Sequence, residues 1–147
     1  TRSVIMRSDI LNQNSQATGG VKKKVVHVDA DTTLTNDDSG KVFMLSATSG
    51  TVAVTLPTSL EDGVFYKFIV EEETPSNAIT LAAGSAIVSF VMKDAGGNAS
   101  NSTAGTQVSN VIIGATAQKA DYVEIMAAGN EWVGSALSSI DDAITTS

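Results

Sequence analysis

The chain has 147 residues, a net charge of −7, no cysteine, 5% aromatic and 17% charged residues. A chain this long buries roughly 70% of its unfolded surface, enough for one domain without staples. Without cysteine, disulfides and thiolate metal sites are excluded. No apolar run approaches the ~18 residues of a membrane-spanning helix, and Arg2 and Arg7 are not followed by a secretory h-region, so the expectation is a soluble chain. Abundant Ser, Thr, Ala, Gly and Asn suit a β protein with short turns better than a helical bundle.

The charge is unevenly placed. Residues 1–24 carry Arg2, Arg7, Lys22, Lys23 and Lys24 against Asp9, a net +4, whereas residues 25–147 carry −11. A basic arm on an acidic body is expected to meet a different partner from the body. Nucleic acid is a poor partner, because the body repels phosphate and no aromatics lie among the basic residues.

In chain order, residues 1–24 form a flexible arm. Val4, Ile5 and Met6 make one apolar cluster and Ile10 and Leu11 a second, followed by the linker-like Asn12-Gln-Asn-Ser-Gln-Ala-Thr-Gly-Gly20. Such a tethered apolar segment seeks a groove on its own body, on a sister subunit or on another protein. Strands are expected at 25–28, 41–46, 51–56, 64–70, 78–82, 86–92, 107–114, 122–127 and 131–136, separated by Gly, Asn, Asp and Ser turns. Thr51-Val-Ala-Val-Thr-Leu56 alternates cleanly, with Val52, Val54 and Leu56 on one face. In Val64-Phe-Tyr-Lys-Phe-Ile-Val70 the apolar residues fall on both faces, which suggests a central strand or one covered on both sides. Ile140, Ala143 and Ile144 at i, i+3 and i+4, with Ser139 and Asp142 as a cap, suggest a short C-terminal helical turn. No repeat of fixed period is evident, which disfavours a solenoid. The expected fold is all-β: an antiparallel β-sandwich, jelly-roll-like, over residues 25–137, with the arm before it and a tail over 138–147.

The residues that carry chemistry are sparse. His27, the single histidine, is flanked by valines and reads as a packed or edge side chain. Asp29, Asp31 and Asn36-Asp-Asp38 resemble a calcium loop but have Leu34 at the glycine position. Glu71, Glu72 and Glu73 read as a solvated strand end. No nucleophile motif or phosphate loop is present. The expectation is no enzyme, no cofactor and no metal.

Three segments, Leu34-Thr-Asn-Asp-Asp-Ser-Gly-Lys-Val-Phe-Met-Leu45, Gly50-Thr-Val-Ala-Val-Thr-Leu-Pro57 and Gly63-Val-Phe-Tyr-Lys-Phe-Ile-Val70, together resemble the β-rich surface modules of tailed bacteriophages, particularly capsid decoration (cement) proteins. The late Asn130-Glu-Trp-Val133 is similar to the Trp-bearing final strand of such modules. The resemblance covers roughly residues 29–136. It implies a structural virion protein on the outer capsid surface, assembled in the host bacterial cytoplasm, a homotrimer partnered with the major capsid protein. Arg2, Val4, Ile5, Met6, Arg7, Ile10, Leu11, Lys22, Lys23 and Lys24 are the expected partner-binding residues, on the physical argument for the arm alone. The alternative is a tail- or head-fibre module that binds host glycan, for which Trp132, Tyr122 and Tyr66 are the available aromatics.

Overall fold

A computed structural model of the chain describes residues 22–84, 87–94, 99–101 and 108–147. It holds β1 (Val25–Val28), β2 (Thr32–Thr33), β3 (Val42–Leu45), β4 (Val52–Thr55), β5 (Phe65–Val70), β6 (Ile79–Ala82), β7 (Ile87–Lys93), β8 (Ala99–Asn101), β9 (Asn110–Ile113), β10 (Tyr122–Ala128), β11 (Glu131–Leu137) and β12 (Ile144–Thr146). All nine expected strands are present. β2, β8 and β12 are additional.

The strands form two sheets, one ordered β1-β3-β5-β10-β11-β7-β8 and the other β12-β9-β6-β4-β2. From β1 to β6 the chain alternates between them. Each strand crosses to the opposite sheet and the next crosses back, so strands neighbouring in one sheet run in the same direction. β1, β3 and β5 are therefore parallel, as are β2, β4 and β6. This corrects the expectation of a purely antiparallel fold: both sheets are mixed. The turns after β1, β3 and β5 lead across the core rather than back along the same sheet. Antiparallel pairing is left to the later strands, notably the β10–β11 hairpin. Its two-residue loop, Gly129 and Asn130, has φ of 63° and 66°, the left-handed pair that a type I′ turn requires.

Period-2 alternation decides which side chains enter the core. Val52 and Val54 on β4, Tyr66, Phe68 and Val70 on β5, and Val123, Ile125 and Ala127 on β10 point inward and are buried. They join residues of both sheets in one hydrophobic cluster. Its aromatic centre stacks Phe43 on Phe68 with ring centroids 5.5 Å apart, and sets Trp132 5.5 Å from Tyr66. Burying side chains such as Phe68, Leu81 and Ile113 contributes about 1.5–3 kcal/mol each. The Tyr66 hydroxyl donates to the Thr35 carbonyl at 2.6 Å. Burial, with Asp38 nearby, pushes the Tyr66 phenol well above its ordinary range and keeps it a donor.

The C-terminal segment also departs from expectation. Residues 139–143 form bends and a turn, not a helix. Buried Asp121 gathers them: its carboxylate accepts the Ser139 N–H at 2.9 Å and the Ser138 hydroxyl at 3.4 Å. Asp142 sits at φ 54°, a conformation no right-handed helix contains. Ile144–Thr146 then pairs antiparallel with β9. The apolar spacing that suggested a helix still buries Ala143 and Ile144, because the edge of β9 supplies backbone partners that one isolated helical turn lacks.

Candidate interaction surface

Alternation that fills the core also fixes the outer face of the seven-stranded sheet. Phe65, Lys67 and Ile69 of β5 point outward, as do Tyr122, Glu124 and Met126 of β10 and Val133, Ser135 and Leu137 of β11. The register aligns them in rows. Phe65 lies beside Met126, Lys67 beside Glu124, and Ile69 beside Tyr122. Met126 lies beside Val133 and Tyr122 beside Leu137. Val25 of β1 and Val91 of β7 share the row of Lys67 and Glu124.

The large hydrophobic residues exposed among the described residues are Val25, Phe65, Val91, Met126 and Leu137, each between 44% and 55% exposed. All five lie on this one face. They surround the Lys67, Glu124 and Ser135 row, and apolar side chains gathered on one face around polar ones are the make-up of contact surfaces. A hollow of about 390 Å³ opens in it, lined by Lys23, Phe65, Lys67, Glu124, Met126 and Val133 among others. Lys67 bridges the face polarly: its ammonium is 3.2 Å from Glu124 and 4.7 Å from the centre of the Tyr122 ring.

Of the expected partner-binding residues, Arg2, Val4, Ile5, Met6, Arg7, Ile10 and Leu11 lie outside the described residues. Lys22, Lys23 and Lys24 are exposed just before β1, and Lys23 reaches the hollow. The arm therefore joins the body beside the apolar face.

The candidate chemical residues take structural places. His27 is exposed and its Nδ1 is 2.7 Å from Glu71. Glu72 is not a solvated strand end: its carboxylate accepts the Ala47 N–H at 2.7 Å, and Asn77 donates to the Ala47 carbonyl at 2.8 Å. These bonds tie the loops after β3 and β5 together. Asp31 accepts the Ala53 N–H at 2.9 Å. Asp38 accepts the Thr35 N–H at 2.9 Å and pairs with Lys41; the Lys41 bond, then the Thr35 N–H, hold its carboxyl below the ordinary carboxylate range. Each of these acids satisfies a neighbour in the fold.

One acidic group escaped the sequence reading. Asp94, Asp141 and Asp142 bring ligand atoms within 4.8 Å of one another. They are 47 residues apart in sequence (94 to 141), so no local spacing signalled them. Three carboxylates reach the six to eight oxygens that calcium takes only if each binds through both oxygens or water joins them, and Asp141 and Asp142 are exposed.

The fold and surface thus define a mixed two-sheet β protein with one broad apolar sheet face. No protein-family model matches the sequence, and a search of curated proteins returns no match.

Proposed function

We propose that this chain is a structural virion protein that binds the outside of an assembled bacteriophage capsid and stiffens the shell. The observation that carries the reading is the apolar outer face of the seven-stranded sheet, with the basic arm joining the body beside it. Such a face is built for contact, and its polar residues satisfy one another rather than converging on a substrate. The resemblance of segments 34–45, 50–57 and 63–70 to decoration proteins supplies the partner, the major capsid protein, and the virion surface as the location. These segments contain β3, β4 and β5, three consecutive strands that alternate between the two sheets. In this reading the sheets stack as a sandwich-like body, which projects from the shell as a homotrimer.

The arm is the anchor. Val4, Ile5, Met6, Ile10 and Leu11 supply apolar surface worth about 1.5–3 kcal/mol per buried side chain before ordering costs. Three copies acting together gain avidity through linkage. Arg2, Arg7, Lys22, Lys23 and Lys24 add attraction to an acidic shell, which salt weakens at exposed contacts. The glycan-binding alternative loses support, because Trp132 and Tyr66 are buried and Tyr122 lies beneath Lys67.

Co-sedimentation with capsids tests the proposal. The full chain is expected to pellet with capsids, and a chain lacking residues 1–20 to stay in the supernatant while keeping its oligomeric state. Full-affinity pelleting after the deletion removes the arm from the mechanism. A full chain that ignores both empty and filled capsids removes the capsid reading altogether.

A further inference from the structure

We infer that a second copy of this chain covers the outer face of the seven-stranded sheet. This goes beyond the decoration reading, on which it rests: a face that meets itself pairs copies two by two, separately from the heterologous contacts that close a trimer, and it is testable without a capsid.

Charge selects the occupant. Residues 25–147 carry a net −11, so most approaches of one body to another bring like charges together. The outer face is different. Its outward charged residues are Lys67 and Lys93, with Lys23 at the hollow, against Glu124, Glu131 and Glu71, the last paired with His27 at one margin. These charges balance, and Lys67 and Glu124 already lie 3.2 Å apart at the centre. A surface with equal charges of both signs can meet a copy of itself with lysine opposite glutamate, as a self-complementary interface requires. The basic arm finds no net acidic complement there, and its charge suits the remaining surface of the body better.

Area and composition agree. Strands about 4.8 Å apart and about 13–23 Å long, counted over β1, β3, β5, β10, β11 and β7, span on the order of 500 Å². Two such faces bury about 1,000 Å² in total, the threshold that separates specific interfaces from casual contacts. The half-exposed apolar residues on this face place their side chains where two sheets pack about 10 Å apart. Among the described residues nothing covers them, and the core cluster on the opposite side of the sheet does not include them.

Sedimentation velocity on the full chain, free of capsids, tests the inference. The wild type is expected to sediment as an oligomer at micromolar concentrations. Met126→Glu and Leu137→Glu, made separately at half-exposed positions that the core does not use, should each weaken self-association by at least about tenfold, because the new carboxylate is buried unpaired in the contact. Their circular dichroism should match the wild type. Thr55→Glu, on an exposed position of the five-stranded sheet, should leave the mass unchanged. A monomeric wild type overturns the inference, as does an oligomer that withstands both substitutions. If deletion of residues 1–20 alone yields monomers while the face variants stay associated, the arm is the clasp and the inference is wrong. None of these outcomes decides capsid binding, which pelleting reads separately.

Discussion

Gly134 is the most exacting position in the sheet, and Gly134→Ala tests the packing directly. It lies on β11 opposite Ile125 of β10. A β-carbon there would stand 2.1 Å from the Glu124 carbonyl oxygen, 2.7 Å from Ile125 Cγ2 and 3.0 Å from Ile125 Cα. Two of those three neighbours are backbone, so no side-chain rotation relieves the clash. Relief requires β10 and β11 to separate locally. Overpacking of this kind costs about 1–3 kcal/mol, and each ladder hydrogen bond lost adds about 1 kcal/mol. The expected total is about 2–4 kcal/mol, read by urea denaturation as a lower midpoint with the slope unchanged. Gly50→Ala is the control. An added β-carbon there meets nothing within 4 Å and the backbone φ is ordinary, so its effect should be neutral or a gain of up to about 1 kcal/mol through the unfolded chain. If Gly134→Ala unfolds within about 0.5 kcal/mol of the wild type, the close approach of β10 and β11 is wrong.

Tyr66→Phe removes the hydroxyl that donates to the Thr35 carbonyl and is expected to cost about 1 kcal/mol; an unchanged urea midpoint would show that water serves Thr35 as well. Asp38→Ala removes the carboxylate that accepts from Thr35 and pairs with Lys41, and should cost about 0.5–2 kcal/mol as the loss of a cap. Because the Asp38 carboxyl is held below its ordinary value of 3.8, its contribution is present above that pH and lost as the pH falls through the lower folded value. The gap between wild type and Asp38→Ala should therefore close on acidification below about pH 4, and a gap that widens would reverse the sign of the argument. Calcium or EDTA should leave the melting temperature unchanged, since Asp141 and Asp142 are exposed to water and three carboxylates fill calcium's shell only if all bind bidentately or water joins them; a rise on adding calcium would establish a site there.

The strands were legible because each carries its own alternation and its own turn residues. Their arrangement was not. Register places Val28 beside Leu45 and Leu45 beside Val70, steps of 17 and then 25 residues (28 to 45 to 70). In the other sheet Thr32 lies beside Val54 and Val54 beside Leu81, steps of 22 and 27. Three successive turns of chain wind through two sheets, yet no two steps match, so no fixed period was there to find. Sequence alternation reports which side of a strand is apolar and is silent on which sheet receives the strand. The antiparallel expectation came from that silence, since short turns between short strands usually make hairpins. β12 was missed for a related reason: three residues at a sheet edge are too few for a period-2 pattern to outweigh one apolar triplet at helical spacing.

The surface was half legible. Val64-Phe-Tyr-Lys-Phe-Ile-Val70 showed apolar residues on both faces, which a strand needs only when both are covered. The structure accounts for one side: Tyr66, Phe68 and Val70 enter the core. On the other side stand Phe65, Lys67 and Ile69, and across the register Met126 and Tyr122. β10 gives the same signal more weakly, because Glu124 interrupts its outward residues and disguises them as an ordinary solvated face. Only the pairing of Glu124 with Lys67 reveals that the interruption is neutralised within the sheet. The sequence left two readings of this strand, a central one or one covered on both sides; β5 lies inside its sheet between β3 and β10, and the register extends its outward apolar side to its neighbours. Phe65 and Met126 belong to separate segments of chain, and only their register makes them one surface.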